Sequence, residues 1–294
     1  MSKLVFGCGF LGARVARLWC AADETVHVVT RSAERAQEFA AQGLQPVVAN
    51  ILDPQSLGNI PQVDTVLFAV GYERSSTVAI ETVYAEGLRN VLTALPTSVE
   101  RVITISTTGV FGNANGDSVD EQTPTHPQRA GGRASLAAEQ ILANHPLGKH
   151  SVLLRLAGIY GPGRIPYLEK LRAGQPLAVP SAGWLNLIHV DDAAAIVVAS
   201  DRWAAENPVD AGPEIFCVSD GHPVVRADYY REVARHIQAA EPRFVAPDPA
   251  SPAASRAESN KRIANSKLVH TLRYELRYPT YREGLAAILG RGEQ

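Results

Sequence analysis

Three glycines near the amino terminus, Gly7, Gly9 and Gly12, stand in the spacing Gly-x-Gly-x-x-Gly within Val5-Phe6-Gly7-Cys8-Gly9-Phe10-Leu11-Gly12. An apolar run precedes them and a helical pattern follows. In that setting each glycine has its own task. Gly7 allows a tight turn, Gly9 lets backbone approach a pyrophosphate where a Cβ would collide, and Gly12 lets the helix lie close to the sheet. The N–H groups at the helix start, around Phe10 and Leu11, then face the phosphate charge. Strand, glycine loop and helix in this order imply dinucleotide binding.

The residues after the second strand refine that expectation. A site for NAD(H) usually places Asp or Glu there, against the ribose 2′-hydroxyl. This chain has Thr30-Arg31-Ser32. No acid repels a 2′-phosphate, Arg31 offers a planar cationic fork, and Ser32 offers a hydroxyl. NADP(H) is expected in preference to NAD(H). The alternative for Arg31 is a strand-end cation facing solvent.

These residues need a sheet to hold them. Apolar, β-branched runs at Lys3–Phe6, Thr25–Thr30, Gln45–Ala49, Thr65–Val70, Arg101–Ser106 and Ser151–Leu156 read as strands buried on both faces. Helical periodicity over Phe10–Ala22, Ala33–Gln42, Thr77–Leu95 and Ala134–Asn144 alternates with them. Ser32 and Ser76 are candidate N-caps. The alternation predicts an α/β fold, a Rossmann-type doubly wound parallel sheet. Beyond Tyr160 the pattern changes. Ile165–Ala173 reads as a short helix, Leu187–Val190 as a strand, Asp191–Trp203 as a helix, Ile215–Val218 as a strand and Ala227–Ala239 as an amphipathic helix. Glu241–Ala254 reads as an exposed Pro- and Ala-rich loop. The expected division is a dinucleotide-binding domain, 1–165 with 184–210, and a smaller C-terminal α/β substrate lobe, 166–183 with 211–294.

Several stations, in order, resemble the extended short-chain dehydrogenase/reductase family, the NAD-dependent epimerase/dehydratase group. They are the loop Gly7–Gly12, Ala49-Asn50-Ile51-Leu52-Asp53, Phe68-Ala69-Val70-Gly71, and Ile105-Ser106-Thr107-Thr108-Gly109-Val110-Phe111-Gly112. Two more follow, Arg155-Leu156-Ala157-Gly158-Ile159-Tyr160-Gly161-Pro162-Gly163 and Asn186-Leu187-Ile188-His189-Val190-Asp191-Asp192-Ala193. The resemblance implies that Asn50 meets the adenine amino group and that Ile51 packs on the ring. It places Ala69 and Val70 along the cofactor and makes Thr107 the catalytic hydroxyl, beside Thr108. The alternative for Thr107 is a strand-end residue serving local backbone. Asn186 and His189 occupy a station that lines the substrate cleft in the family; the alternative for His189 is a hydrogen-bonded histidine at the domain junction. The family also commonly pairs as a homodimer through helices flanking the sheet.

One station fails. The family carries Tyr-x-x-x-Lys at the start of the helix after its fifth strand. There the Tyr moves the proton, and the Lys lowers the Tyr pKa and holds the nicotinamide ribose. Here Gly131 and Ser135 fill those places, and no Tyr-x-x-x-Lys occurs anywhere in the chain. Tyr72, which could reach the cofactor edge, Tyr160 and Arg133, which could supply charge near the vacated lysine position, are the substitutes within sequence reach; the alternative for each is a structural role, for Tyr160 the floor of the cleft. Asp191 and Asp192 read as helix-capping acids, and Tyr229 and Tyr230 as core and rim.

Composition bounds the rest. A chain of 294 residues with 46% hydrophobic residues can bury a sizeable core, and a net charge of −2 gives no footprint for nucleic acid or membrane. No apolar run approaches the roughly 20 residues a membrane helix needs. Cys8, Cys20 and Cys217 form no Cys-x-x-Cys, and the histidines form no metal-ligand spacing, so a reduced cytoplasmic setting without metal is expected. Two functional classes fit. One is an NADP(H)-dependent oxidoreductase, or an epimerase/dehydratase-like enzyme, acting on an unidentified small molecule through a rearranged proton relay. The other is a catalytically inactive NADP-binding sensor or regulator. A scaffold binding no nucleotide is the third and weakest fit.

Overall fold

The computed structural model describes residues 1–73, 75–207, 212–249, 251, 254 and 260–290. The expected loop over 241–254 and the expected domain limits at 210, 211 and 294 therefore lie partly outside the described residues. The chain divides into two compact units. Unit 1 comprises Met1–Val110, Ala130–Arg155 and Ala194–Phe216; unit 2 comprises Phe111–Arg129, Leu156–Ala193 and Cys217–Gln294. The stretches 111–129 and 156–193 make strand pairings within unit 2.

Unit 1 is built on strands β1 (Ser2–Phe6), β2 (Thr25–Thr30), β3 (Gln45–Val48), β4 (Thr65–Phe68), β5 (Arg101–Thr107), β6 (Val152–Leu156) and the first part of β7 (Glu214–Val218). They form one sheet in the order β7-β6-β5-β4-β1-β2-β3. Every residue of β4 and β6 is buried, so these strands need cover on both faces. β1 pairs in parallel with β2 on one side and with β4 on the other. The strand order therefore reverses at β1, and the carboxyl ends of β1 and β4 flank the crevice where open α/β sheets bind ligands.

The strand expected in the lobe at Ile215–Val218 is instead this sheet's edge, β7. Glu214 N donates to Ser151 O at 2.9 Å, and Ala157 N donates to Val218 O at 2.9 Å, so β7 runs parallel to β6. Helices α1 (Gly12–Cys20), α2 (Ala33–Ala41), α3 (Gly87–Ala94) and α4 (Ala130–Ala143) lie close to their expected places. Ser32 caps α2 by accepting from Arg35 N. Ser76 does not cap a helix: its hydroxyl accepts from Val78 N two residues on, which makes a local turn. The long helix expected over 77–95 is interrupted by a π turn, Thr82–Glu86, that packs against α4.

The amino ends of the strands are held by buried ions. Lys3, 1% exposed, donates to Asp201 Oδ2 at 2.7 Å and to Thr65 Oγ1 at 3.2 Å. Arg101 Nε donates to Asp201 Oδ1 at 2.9 Å. Burial alone would raise the Asp201 pKa, but Lys3 and Arg101 outweigh it and hold the carboxyl below its ordinary range. Both oxygens are matched, as a buried carboxylate requires.

Unit 2 has an aromatic core of Tyr160, Tyr229, Tyr230 and Tyr281 packed with Leu171, Val233 and Leu285. Short strands cross it: Gly158–Tyr160 lies parallel to Leu187–His189, and Ser118–Val119 parallel to Arg262–Ile263. Its helices are α5 (Leu168–Arg172), the first turn of α6 (Val190–Glu206), α7 (Arg226–His236), α8 (Ser266–Leu272) and α9 (Tyr281–Leu289). Asp192 does more than complement a helix dipole. Its fully buried carboxylate accepts from Tyr274 Oη at 2.9 Å, Arg277 N at 2.8 Å and Tyr278 N at 3.0 Å. Asp220 is the opposite case. It is 3% exposed; Oδ1 accepts from His222 N, while Oδ2 finds no partner among the described residues. Burial, with Glu283 adding repulsion against the opposing pull of His222, pushes this carboxyl up to about 7.

The two carboxyls predict opposite pH responses. Asp201, held low, contributes stability above about pH 3.9 that is lost as pH falls through its folded value. Asp201→Asn should lower the unfolding free energy at pH 7 by about 3–5 kcal/mol in urea titrations, because two buried cations lose their counter-charge. Asp220, held high, contributes stability that is complete below about pH 3.9 and declines as pH rises towards 7, by up to about 4 kcal/mol. Asp220→Asn should flatten that decline and exceed the parent in stability at pH 8. Parallel urea curves for the two proteins from pH 5 to 8.5 would contradict it.

Candidate functional site

The glycine loop begins where β1 ends. Gly7 has φ +90°, and a Cβ there would stand 2.3 Å from Ala69 O, at the end of β4. Gly9 N donates back to Gly7 O at 2.8 Å and closes the turn. A Cβ on Gly12 would stand 2.3 Å from Gly7 O and 3.2 Å from the Val5 side chain. Gly7 and Gly12 are thus required by the fold itself. Gly9 is not: it is exposed, and a Cβ would meet nothing within 4 Å. A glycine that internal packing does not demand, in a loop opening a helix, fits a cradle kept clear for a dinucleotide pyrophosphate. The helical bonds of α1 begin with Ala13 N, which donates to Gly9 O at 3.0 Å, and Val15 N, which donates to Leu11 O at 3.1 Å; the loop N–H groups stand just ahead of them at the helix start.

Arg31 and Ser32 follow β2 in the same unit. Arg31 is 74% exposed in its side chain, with a loose 3.8 Å contact to Glu73. The Ser32 hydroxyl is engaged as the cap of α2. Sequence reasoning missed Arg35, one turn into that helix. Its guanidinium lies over the Phe39 ring and donates to Cys8 O at 3.2 Å, so a second cation is tied directly to the glycine loop. The spacing Arg-x-x-x-Arg across a cap was the available signal. The Cys8 thiol is pushed up to about 11 by burial, despite the opposing pull of Arg35 and Arg17.

Asn50 and Ile51 follow β3. Asn50 Oδ1 accepts from Leu52 N at 3.1 Å and retains a second lone pair. The Ile51 side chain is half-buried against the core and lies over Gly87 of α3. Ala69 and Val70, both half-buried, sit at the end of β4 beside Gly7. Tyr72 is committed elsewhere: its hydroxyl donates to Val78 O at 2.8 Å and closes the 71–78 loop.

At the end of β5 the Thr107 hydroxyl accepts from Gly109 N at 3.0 Å. Its own proton is still available for donation, so Thr107 can polarise an oxygen but cannot serve as a strong base. Thr108 is buried in the following 3-10 turn. On α4, a Cβ on Gly131 would meet only Ile80 Cδ1 at 3.6 Å, and Ser135 is buried. Arg133 is exposed. One turn beyond Ser135, Glu139 accepts from Ser106 Oγ at 2.5 Å and from Arg155 at 3.1 and 2.7 Å. A guanidinium does reach this part of the helix, but a buried carboxylate neutralises it. It cannot lower a neighbouring hydroxyl's pKa as a free lysine would.

Three expected cleft residues lie in unit 2, where they act as framework. His189 is 1% exposed, accepts from Asp191 N at 3.2 Å, and stacks 3.9 Å from the Tyr278 ring. Tyr160 is equally buried and meets His189 edge-on; burial, then Asp220, raises its pKa. Proton release from Tyr160 near neutral pH is therefore unfavourable. Asn186 bridges backbone on both sides of its amide: Nδ2 donates to Lys261 O at 2.9 Å and Oδ1 accepts from Ile263 N at 2.7 Å. Among the described residues no group of His, Cys, Asp and Glu could hold a metal, and no helix is long and apolar enough to cross a membrane.

Comparisons with known proteins agree with this geometry. The NAD dependent epimerase/dehydratase family matches residues 4–216. Protein YeeZ of Escherichia coli (strain K12) is 28% identical over 233 residues, 78% of this chain and 77% of that protein. A solved structure described as a putative NAD-dependent epimerase/dehydratase from Methylobacillus flagellatus is 29% identical with a TM-score of 0.78, covering 98% of this chain and 97% of that one. The Bordetella bronchiseptica enzyme WbmG, solved with NAD and UDP, shares the fold at 19% identity, with a TM-score of 0.80 over 98% of this chain and 93% of that one. The family match covers well over half of the sequence, and the chain belongs to the NAD dependent epimerase/dehydratase family, a nicotinamide-dinucleotide-dependent group of extended short-chain dehydrogenases/reductases.

Proposed function

We propose that this protein binds NADP(H) and acts as an oxidoreductase, or as an epimerase/dehydratase-like enzyme, on a small molecule, with a proton relay other than the usual Tyr/Lys pair. The observation that carries the reading is Gly9, whose α-carbon opens onto free space while its neighbours Gly7 and Gly12 are packed. Arg31 and Arg35 support the phosphorylated cofactor, because both belong to the segment where a ribose 2′-phosphate would lie and no Asp or Glu stands at positions 30–32. The N–H groups after Gly9 would take the pyrophosphate, Asn50 the adenine, and Ala69 and Val70 the side of the cofactor.

A bound nicotinamide supplies the acceptor or donor of a hydride. The hydroxyl proton of an alcohol substrate must leave separately, and in this chain that step has lost its ordinary carrier. Thr107 would donate to the substrate oxygen and hold it in place. The half-buried phenol of Tyr84, in the π turn, has its pKa raised by burial against the pull of the Tyr72 N–H, so it retains its proton.

A second reading, a catalytically silent NADP-binding sensor, is favoured by Gly131 and Ser135 and by the commitment of Tyr72 to Val78 O. The experiments separate the readings. In titrations with NADPH, Gly9→Val should abolish binding while leaving the fold intact, since a Cβ there meets no protein atom. Arg31→Ala with Arg35→Ala should weaken NADPH by roughly 10–100-fold, from charge-assisted bonds of about 1.5–3 kcal/mol, and leave NADH unchanged. Equal losses for both cofactors would remove the NADP preference. Turnover on a panel of carbonyl compounds and sugar nucleotides then distinguishes enzyme from sensor. In the enzyme, Gly131→Tyr with Ser135→Lys should raise kcat by about 10²–10⁴. A protein that binds NADPH yet turns over nothing, before and after that change, is the sensor.

A further inference from the structure

The tyrosines of unit 1 are Tyr72 and Tyr84, and they differ in what their hydroxyls do. The Tyr72 proton is committed to Val78 O at 2.8 Å. Tyr84 is half-buried, packed on the same core as Ile51 and Val70, and among the described residues its hydroxyl proton meets no acceptor. It belongs to the π turn Thr82–Glu86, an irregularity of a kind that recurs at functional sites. Two contacts fix where this stretch lies. A Cβ on Gly131 would stand 3.6 Å from Ile80 Cδ1, and a Cβ on Gly87 would stand 2.6 Å from Ile51 Cδ1. Ile80, Tyr84 and Gly87 are spaced by four and three residues, so they share one helical face. Tyr84 therefore sits between a neighbour on α4 and a neighbour just after β3.

The level along α4 follows from the sheet. β4 and β5 are parallel, so the helical stretches that follow them run the same way where the π turn packs on α4. Ile80 stands at Gly131. Tyr84, one turn further on, thus comes level with Ser135, one turn beyond Gly131. A phenol from the neighbouring helix stands beside the window from which the family sends its tyrosine and lysine. The small residues of that window leave it room: apart from Ile80, a Cβ on Gly131 would meet nothing within 4 Å. The end of β5, with Thr107, is the adjoining strand end.

We propose that Tyr84 is the catalytic acid of this protein, giving its phenolic proton to the oxygen of a ketone or aldehyde substrate. The assignment rests on the enzymatic reading above. The substrate carbon takes hydride from the reduced nicotinamide, and the C=O π pair moves onto oxygen. That oxygen, held by Thr107, takes the Tyr84 proton and becomes the alcohol. The Tyr84 phenolate left behind recovers a proton from water. Burial pushes the phenol's ionisation up, so it holds its proton near neutral pH, yet it is a far stronger acid than an alcohol. Transfer to a developing alkoxide therefore runs downhill. The reverse step gains no such help, because Ser135 supplies no cation to hold a phenolate. The site favours carbonyl reduction over alcohol oxidation near neutral pH.

Placement is tested without turnover. With 3,5-difluorotyrosine in place of Tyr84, one phenol of the full chain ionises nearer neutrality and is followed alone by 19F NMR. Its midpoint should lie about one pH unit or more lower with NADP+ than with NADPH, because only the oxidised ring carries a positive charge beside it. Chemistry is tested on the carbonyl panel. Tyr84→Phe should retain NADPH binding and lose about 10²–10⁴-fold in kcat for reduction. The difluorotyrosine protein should lose reduction as pH rises through its lowered midpoint, since the acid must carry its proton. If Tyr84→Phe does not fold, the difluorotyrosine protein carries the comparison, because its ring keeps its shape. Equal midpoints with the two cofactors, or reduction that Tyr84→Phe leaves whole, overturns the proposal. A parent protein that reduces nothing refutes the enzymatic reading and the acid with it, whereas an active parent with an equally active Tyr84→Phe refutes the acid alone.

Discussion

The contact between the Gly7 α-carbon and the Ala69 carbonyl constrains everything around it. At that distance no side chain can exist at position 7, so β1 must end in a left-handed turn against the end of β4. The turn sets where Gly9 opens and where α1 begins. Arg35, in α2, is tied back to this loop through Cys8 O. The carboxyl edge of the sheet becomes a binding edge because one α-carbon is bare. Gly12 repeats the device against Gly7 O, so loop and helix are locked to each other as well as to the strands.

The two units treat buried charge differently. In unit 1 each deeply buried ion is matched, Asp201 by Lys3 and Arg101, and Glu139 by Arg155 and the Ser106 hydroxyl. Matched ions hold a scaffold, because each buried charge is answered by a partner and its hydrogen bonds. In unit 2 the Asp220 carboxyl and the Lys261 ammonium are both displaced towards their neutral forms. Groups with that displacement respond to small changes in surroundings, which is why perturbed acids and bases mark functional regions more often than paired ions do. The stretch of α4 just beyond Ser135 belongs to the first class. There Glu139 and Arg155 form a buried ion pair.

The strands of unit 1 were legible because strands buried on both faces leave an unbroken apolar record, and β1, β2 and β5 fall within a residue or so of their expected limits. The glycine loop was legible because steric need at Gly7 and Gly12 admits only one residue type. β7 was misplaced for a reason that periodicity cannot cure: an edge strand arriving from the far end of the chain looks like any other short apolar run. The π turn was invisible because an extra residue in a helical turn changes hydrogen bonding without changing composition. Arg35 was overlooked because its role lies in reaching back to Cys8 O. His189 and Asn186 carried family expectations about a cleft, while their local hydrogen bonds make them framework.

The bond between Lys3 and Asp201 joins residues 198 positions apart, and β7 closes the sheet only with Val218. The sheet's first strand therefore cannot be anchored at its base until about two thirds of the polypeptide has been made, nor β7 added until about three quarters has. Contacts of such separation are slow to form, because a large loop must close before any energy is recovered. Until then Lys3, Arg101 and the open edge of β6 remain exposed to solvent and to other nascent chains. A protein so arranged is vulnerable during its synthesis, and a shortened product that stops before β7 presents an unpaired edge ready to aggregate.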